Sequence, residues 1–223
     1  MLTKREIGEG YDVLPESAFI SAKFHKFCVS LARDLRGAIA DIGCGPGGLL
    51  DVVGEICGEA RLYGCDLSFR QCTRAAQRRF RPRVCQADVE CLPYKDDAFD
   101  YVFMIEVLDH LFSPDQALRE VRRVLKPNGC LIVSVPNRDW LRFDKDMVNR
   151  RQFQPVDDHW FTFREIQGLL TGAGFALETV RGGENLYFGG GLPRLLEKVA
   201  LAIFPRLQRR MKRLILVVRL FRH

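Results

Sequence analysis

Asp41 stands near the end of a short apolar run that closes at Ile42, and Gly43, Cys44, Gly45, Pro46, Gly47 and Gly48 follow at once. An acid ahead of a glycine-rich turn is a binding device, because glycine reaches backbone angles closed to other residues and, lacking a Cβ, lets a ligand lie against the chain. If a helix begins where the turn ends, its first N–H groups have no partner of their own and face the same ligand. Two further acids follow: Asp66 closes Arg61-Leu62-Tyr63-Gly64-Cys65, and Asp88 comes after Arg83-Val84-Cys85-Gln86-Ala87. An acid at the end of the strand after such a turn can accept hydrogen bonds from ribose hydroxyls. Gly43, Gly45 and Gly48 also satisfy G-x-G-x-x-G, so on these residues alone a nicotinamide dinucleotide stands level with other adenosine-bearing cofactors.

Such residues need a frame to hold them. Strands are expected near 38–42, 60–65, 83–87, 99–105, 130–135 and 176–181, alternating with helices, which describes a doubly wound, mainly parallel α/β sheet. Ser68 with Gln71 and Thr162 with Glu165 read as capping boxes that start helices, and Ser113-Pro114 places a cap before a first-turn proline. Ile20, Phe24, Phe27, Leu31 and Leu35 recur at helical spacing, predicting one amphipathic helix from about Pro15 to Arg36 that serves as a lid or flank.

The third and fourth strands separate the two cofactors. Asp88-Val89 with Leu92-Pro93-Tyr94, Phe99-Asp100-Tyr101-Val102 leading to Ile105-Glu106, and Leu125-Lys126-Pro127-Asn128-Gly129 follow the glycine loop and Asp66-Leu67-Ser68 in a fixed order. From about Asp41 to Pro136 the chain resembles the class I S-adenosylmethionine-dependent methyltransferases, in particular the type 11 group of small-molecule and quinone methylating enzymes. The resemblance implies a Rossmann-like sheet of seven strands whose last strand, expected at Asn185–Phe188, runs antiparallel. The chain divides into a domain over residues 1–191, with 1–37 flanking it and the long connection 138–161 expected to cover the acceptor, and a basic tail at 192–223. The resemblance also implies roles at the site. Asp41 would face the amino-acid end of S-adenosylmethionine, with the backbone of Gly43, Cys44, Gly45 and Gly47 passing beneath. Asp66 would hold both ribose hydroxyls and Asp88 the adenine amino group, while Leu67 and Val89 sandwich the ring. Ile105 and Glu106 would border the methionine moiety, and Tyr11 would close the far side. S-adenosylhomocysteine would be the product.

Methyl transfer from a sulfonium is an in-line displacement, so the protein mainly aligns the reactants and excludes water. A hydroxyl acceptor must also lose a proton, which calls for a base. His110, just past the fourth strand, is the first candidate, and His159, within Pro155-Val156-Asp157-Asp158-His159-Trp160-Phe161, is the second; each has an alternative as an ordinary loop or packing side chain. His25 reads as a surface or lid residue. Trp140, Phe143, Phe153, Trp160 and Phe161, among Arg142, Lys145, Arg150 and Arg151, suggest a ring-bearing or apolar acceptor with an anionic group. O-methylation of a small-molecule or lipid-linked acceptor is slightly favoured. A catalytically silent cofactor-binding subunit stands as the alternative, and a nicotinamide oxidoreductase is disfavoured because no Tyr-x-x-x-Lys appears.

Composition sets the outer bounds. The chain has 223 residues, 47% of them hydrophobic, enough for one α/β core. Its eight cysteines include no C-x-x-C pair, so neither a zinc site nor a disulfide scaffold is expected, and no metal is called for. The N-terminus lacks an apolar leader, which predicts cytoplasmic residence or a peripheral position on the inner membrane face. The net charge of +6 is uneven: Leu192–His223 carries nine Lys or Arg and one Glu, net +8, leaving −2 for the remainder. Nucleic acid is therefore an unlikely partner. Leu207, Met211, Leu214, Val218 and Phe221 continue at helical spacing after Pro205, predicting a basic amphipathic helix for an anionic membrane surface, or for packing on the domain or on a second subunit.

Overall fold

Alternation of apolar strands with amphipathic helices produces one seven-stranded sheet in the order β3-β2-β1-β4-β5-β7-β6. The strands are β1 Ala38–Ile42, β2 Arg61–Asp66, β3 Arg83–Gln86, β4 Phe99–Ile105, β5 Leu125–Pro136, β6 Phe175–Gly183 and β7 Arg213–Leu220. The helices are α1 Lys4–Asp12, α2 Ala22–Val29, α3 Gly48–Ile56, α4 Phe69–Ala76, α5 Pro114–Val124 and α6 Phe163–Gly172. This computed structural model describes residues 2–15, 18–140, 159–183, 209 and 213–220. The first five strands pair in parallel, and β7 runs antiparallel between β5 and β6.

Burial follows the two-residue period of a strand covered on both faces. In β1, Ala38, Ala40 and Ile42 enter one apolar cluster and Ile39 the other; in β4, Val102 and Met104 oppose Tyr101, Phe103 and Ile105. The chain winds from β1 outward to β3, then crosses back to β4 on the other side of β1. The β1/β4 boundary is thus the topological switch point, where a crevice opens beyond the carboxyl ends of the strands.

The N-terminal expectation needs correction. In place of one helix over 15–36 there is the short α2, because Ser21 accepts from the N–H of Phe24 and fixes its start, while Ser30 ends it. Leu31 and Leu35 still pack on the core, but from outside the helix. Helix α1 was not anticipated, although Thr3 and Glu6 form a complete capping box. It docks on α4 through Asp12, which accepts from Ser68 Oγ and from Arg70 N–H, and through Gln71 Nε2, which donates to the Tyr11 carbonyl at 2.9 Å. Gln71 is therefore engaged with α1, whereas Ser68 alone caps α4. The Thr162–Glu165 box is complete. Pro114 opens α5 as expected, but the Ser113 side chain makes no cap; its N–H donates to Glu90 at 3.0 Å.

The larger correction concerns the C-terminal segment. Residues 213–220, expected to continue a helix, form the strand that pairs with β5 across Cys130–Pro136 and with β6 across Phe175–Gly183. Leu214, Leu216, Val218 and Leu220 enter one apolar cluster and Ile215 and Val217 the other, so both faces are buried. Five consecutive apolar residues satisfy a helical spacing by default; burial on both sides is what decides for strand. The antiparallel role expected of Asn185–Phe188 falls to β7. Residues 185–188, 192–208 and most of the acceptor-covering segment, 141–158, lie outside the described residues.

Candidate functional site

The turn after β1 takes the shape its glycines permit. Gly43, Gly45 and Gly47 adopt φ of 76°, 49° and 82°, and the N–H groups of Gly43 and Cys44 both donate to the Cys65 carbonyl, at 2.8 and 2.9 Å. A Cβ on Gly45 would sit 2.9 Å from the Phe19 ring, so the loop is closely covered from the N-terminal side. Asp66 fastens it: Oδ2 accepts from Gly45 N–H at 2.8 Å and Oδ1 from Ser68 N–H at 2.9 Å. Burial raises the Asp66 carboxyl above its ordinary range despite these donors. Asp41, 3% exposed, is pushed up to about 8 by burial and then by the charge of Asp66.

Beyond the carboxyl ends of β1, β2 and β4 lies a cavity of about 200 Å3. Asp41, Gly43, Cys44, Gly45, Asp66, Leu67, Asp88, Val89, Ile105, Glu106, Tyr11 and His110 all line it. Gly47 does not: it supports the loop from below, where a Cβ would meet the Ala75 backbone at 2.9 Å. His159 stands elsewhere, in a neighbouring depression with Phe112 and Phe161 that shares Leu111 with the cavity. Its N–H donates to the Asp109 carbonyl at 2.8 Å, and its ring stands edge-on to Phe161 with centroids 4.5 Å apart.

Each acid at the rim has a defined neighbour. Asp88 Oδ1 accepts from Glu90 N–H at 3.0 Å and Oδ2 pairs with Lys4, whose Nζ also reaches Glu90 at 2.6 Å. Glu106 leaves β4 with φ 55°, a left-handed backbone that costs a non-glycine residue energy and is held by its surroundings. Its Oε1 accepts from Ser134 Oγ at 2.9 Å, and its Oε2 pairs with Arg213 Nε at 2.8 Å, the two side chains being 7% and 10% exposed. The C-terminal strand thus supplies the counter-ion for a residue that lines the cavity. His110 closes a 3-10 turn, Leu108–His110; its Nε2 lies 3.4 Å from the buried Asp109 carboxylate and its ring centroid 6.2 Å from that of Tyr11.

Of the surface and lid places expected for His25, the surface one is overturned. Far from being a surface group, His25 is 9% exposed and lines the cavity; burial and then the nearby Arg78 charge press its pKa down to about 4. The signal was available, since His25, Cys28 and Val29 recur at the spacing of one buried helix face.

Residues 40–133 match the family model described as "Methyltransferase domain". A "Probable S-adenosylmethionine-dependent methyltransferase" of Mycolicibacterium smegmatis is 30% identical over 159 residues, covering 70% of this chain and 58% of its own. An "Uncharacterized 37.1 kDa protein in transposon TN4556" of Streptomyces fradiae is 34% identical over 172 residues, covering 72% of this chain and 50% of its own. The chain carries a class I S-adenosylmethionine-dependent methyltransferase domain. It spans between half and three fifths of the length of these curated relatives. A solved structure described as a "Complex between the Haloferax volcanii Trm112 methyltransferase activator and the putative methyltransferase" matches the fold with a TM-score of 0.73 at 18% identity, covering 99% of each chain.

The cofactor of this methyltransferase domain is S-adenosylmethionine, and the cavity fits it. Three positive-φ glycines let backbone approach a ligand closely. The buried carboxyl of Asp41 faces a cavity where a cationic ligand would favour its ionised form. His25 Nδ1 is buried there with no partner among the described residues.

Proposed function

We propose that this chain transfers the methyl group of S-adenosylmethionine to a small-molecule or lipid-linked acceptor, at a hydroxyl oxygen, with His110 as the base. The observation that carries this reading is His110, which stands beside Asp109 in the wall of the cavity that also holds Glu106 and Tyr11. When bound, the cofactor supplies an activated methyl on its own leaving group. The protein's work is alignment and proton removal. An imidazole in the cavity wall accepts the hydroxyl proton, and the Asp109 carboxylate 3.4 Å away gives the resulting cation an anionic neighbour. Tyr11, Leu14 and Phe19 come over the cavity from the N-terminal segment and exclude water.

Asp41, Glu106, Asp66 and Asp88 line the same cavity and give its cofactor side a negative cast that suits a cationic donor. Ribose binding by Asp66 and adenine binding by Asp88 belong to this proposal. Among the described residues no helix is long and apolar enough to cross a membrane. A lipid-linked acceptor would be met at a membrane surface, and residues 192–212 carry basic side chains for it.

Transfer of labelled methyl from S-adenosylmethionine to fractionated small-molecule and lipid extracts tests the reading. His110→Gln is expected to lower kcat about 100- to 10,000-fold, the usual range for a lost general base, with cofactor affinity unchanged. Unchanged kcat would remove His110 from the mechanism.

A further inference from the structure

Three features that suit an anion converge in the lining of the cavity. The first is the N-terminus of α3: Gly47 precedes it in a left-handed conformation with no side chain to cap the first turn, so its leading N–H groups point outward. The second is His25, whose imidazole edge packs over Gly48; a Cβ there would lie 3.1 Å from Cε1 and 3.3 Å from Nδ1. Nδ1 is buried and has no hydrogen-bond partner among the described residues. A buried polar atom normally has a partner, so this one marks a place for a ligand group. The third is Arg78, which lines the cavity, donates from Nε to the Pro46 carbonyl at 2.6 Å, and contributes the positive charge felt at His25.

We propose that the N-terminus of α3, His25 and Arg78 form the seat for the carboxylate of the cofactor's amino-acid end, with His25 as the donor that fixes it. This rests on S-adenosylmethionine being the ligand of the cavity. Within that cofactor the carboxylate is the one anionic group, while its ammonium and sulfonium are cations. Donors at one place in the lining and the acids Asp41 and Glu106 elsewhere in it therefore orient the zwitterion one way round. Glycine at position 48 leaves the room that the imidazole occupies. His25 is a binding residue in this account and takes no proton during transfer.

Calorimetry with the full chain separates this role from a structural one. The probes are S-adenosylmethionine, its decarboxylated analogue and 5′-methylthioadenosine, which lacks the amino-acid end. The wild-type chain is expected to bind S-adenosylmethionine about 10- to 100-fold more tightly than the decarboxylated analogue, the range for a hydrogen bond to a charged group. His25→Leu is expected to erase that difference and to leave 5′-methylthioadenosine binding within about 2-fold. His25→Asn, which keeps an N–H close to the position of Nδ1, is expected to restore most of it. Equal loss for all three probes in His25→Leu would show that His25 merely supports the fold. A preference for the carboxylate that survives in His25→Leu, or no preference in the wild-type chain, would overturn the assignment. Failure of the wild-type chain to bind any of the three would instead remove the cofactor reading beneath it.

Discussion

Arg213→Ala takes the cation away from Glu106 and leaves a carboxylate buried without it. The pair is 2.8 Å apart, with side chains 10% and 7% exposed, so solvent screens it little. Removing one partner of a buried ion pair costs about 3–5 kcal/mol, mostly the penalty of the charge left behind. Ser134 Oγ still donates to Glu106 at 2.9 Å, which places the expected loss toward the lower end, about 3 kcal/mol. For a chain of this size that is a fall in Tm of roughly 6–12 °C. Urea unfolding and thermal melts of the two single variants, Arg213→Ala and Glu106→Gln, and of the double variant provide the test. The double variant removes both charges, so it should recover about 1–3 kcal/mol relative to the sum of the singles. A loss below about 1 kcal/mol in Arg213→Ala, typical of an exposed cation, would refute the placement of residue 213 in the sheet interior.

Two further outcomes follow from charge. The Asp41 carboxyl titrates near 8 in the fold against 3.8 in its ordinary state, so between those values the folded chain keeps a proton that the unfolded chain has lost. Stability of the ligand-free protein should therefore fall as pH rises from about 4 to about 8, by at most about 6 kcal/mol, and Asp41→Asn should abolish this part of the slope in melts across that range; parallel curves would contradict it. Neutralising Arg206, Arg210 and Lys212 to Gln should reduce co-sedimentation with anionic vesicles at low salt, and equal pelleting would exclude a membrane role for those residues.

How far the sequence was legible depended on how local the determining interaction was. Asp41, the glycine loop and Asp66 are set by neighbours within one strand–turn–helix unit, and strands 38–42 and 99–105 appear with the bounds expected of them. The Thr162 cap was equally local. What failed was decided at long range. Nothing near Leu214–Val218 says that the run will insert between β5 and β6, and an apolar pentad fits either period. The same distance hid Arg213 from Glu106, 107 residues earlier, and Lys4 from Asp88. His25 could have been found by reading the buried face of its helix, yet only the fold shows that this face meets the glycine loop at Gly48.

The central claim is that the glycine turn from Asp41 to Gly48 holds S-adenosylmethionine on Asp66. Calorimetry with S-adenosylmethionine, S-adenosylhomocysteine and NADH, on the wild-type chain and on Asp66→Ala, tests it most directly. The account predicts binding of the first two ligands, none of NADH, and loss of both in Asp66→Ala. Binding of NADH alone, or undiminished S-adenosylmethionine binding by Asp66→Ala, would contradict it.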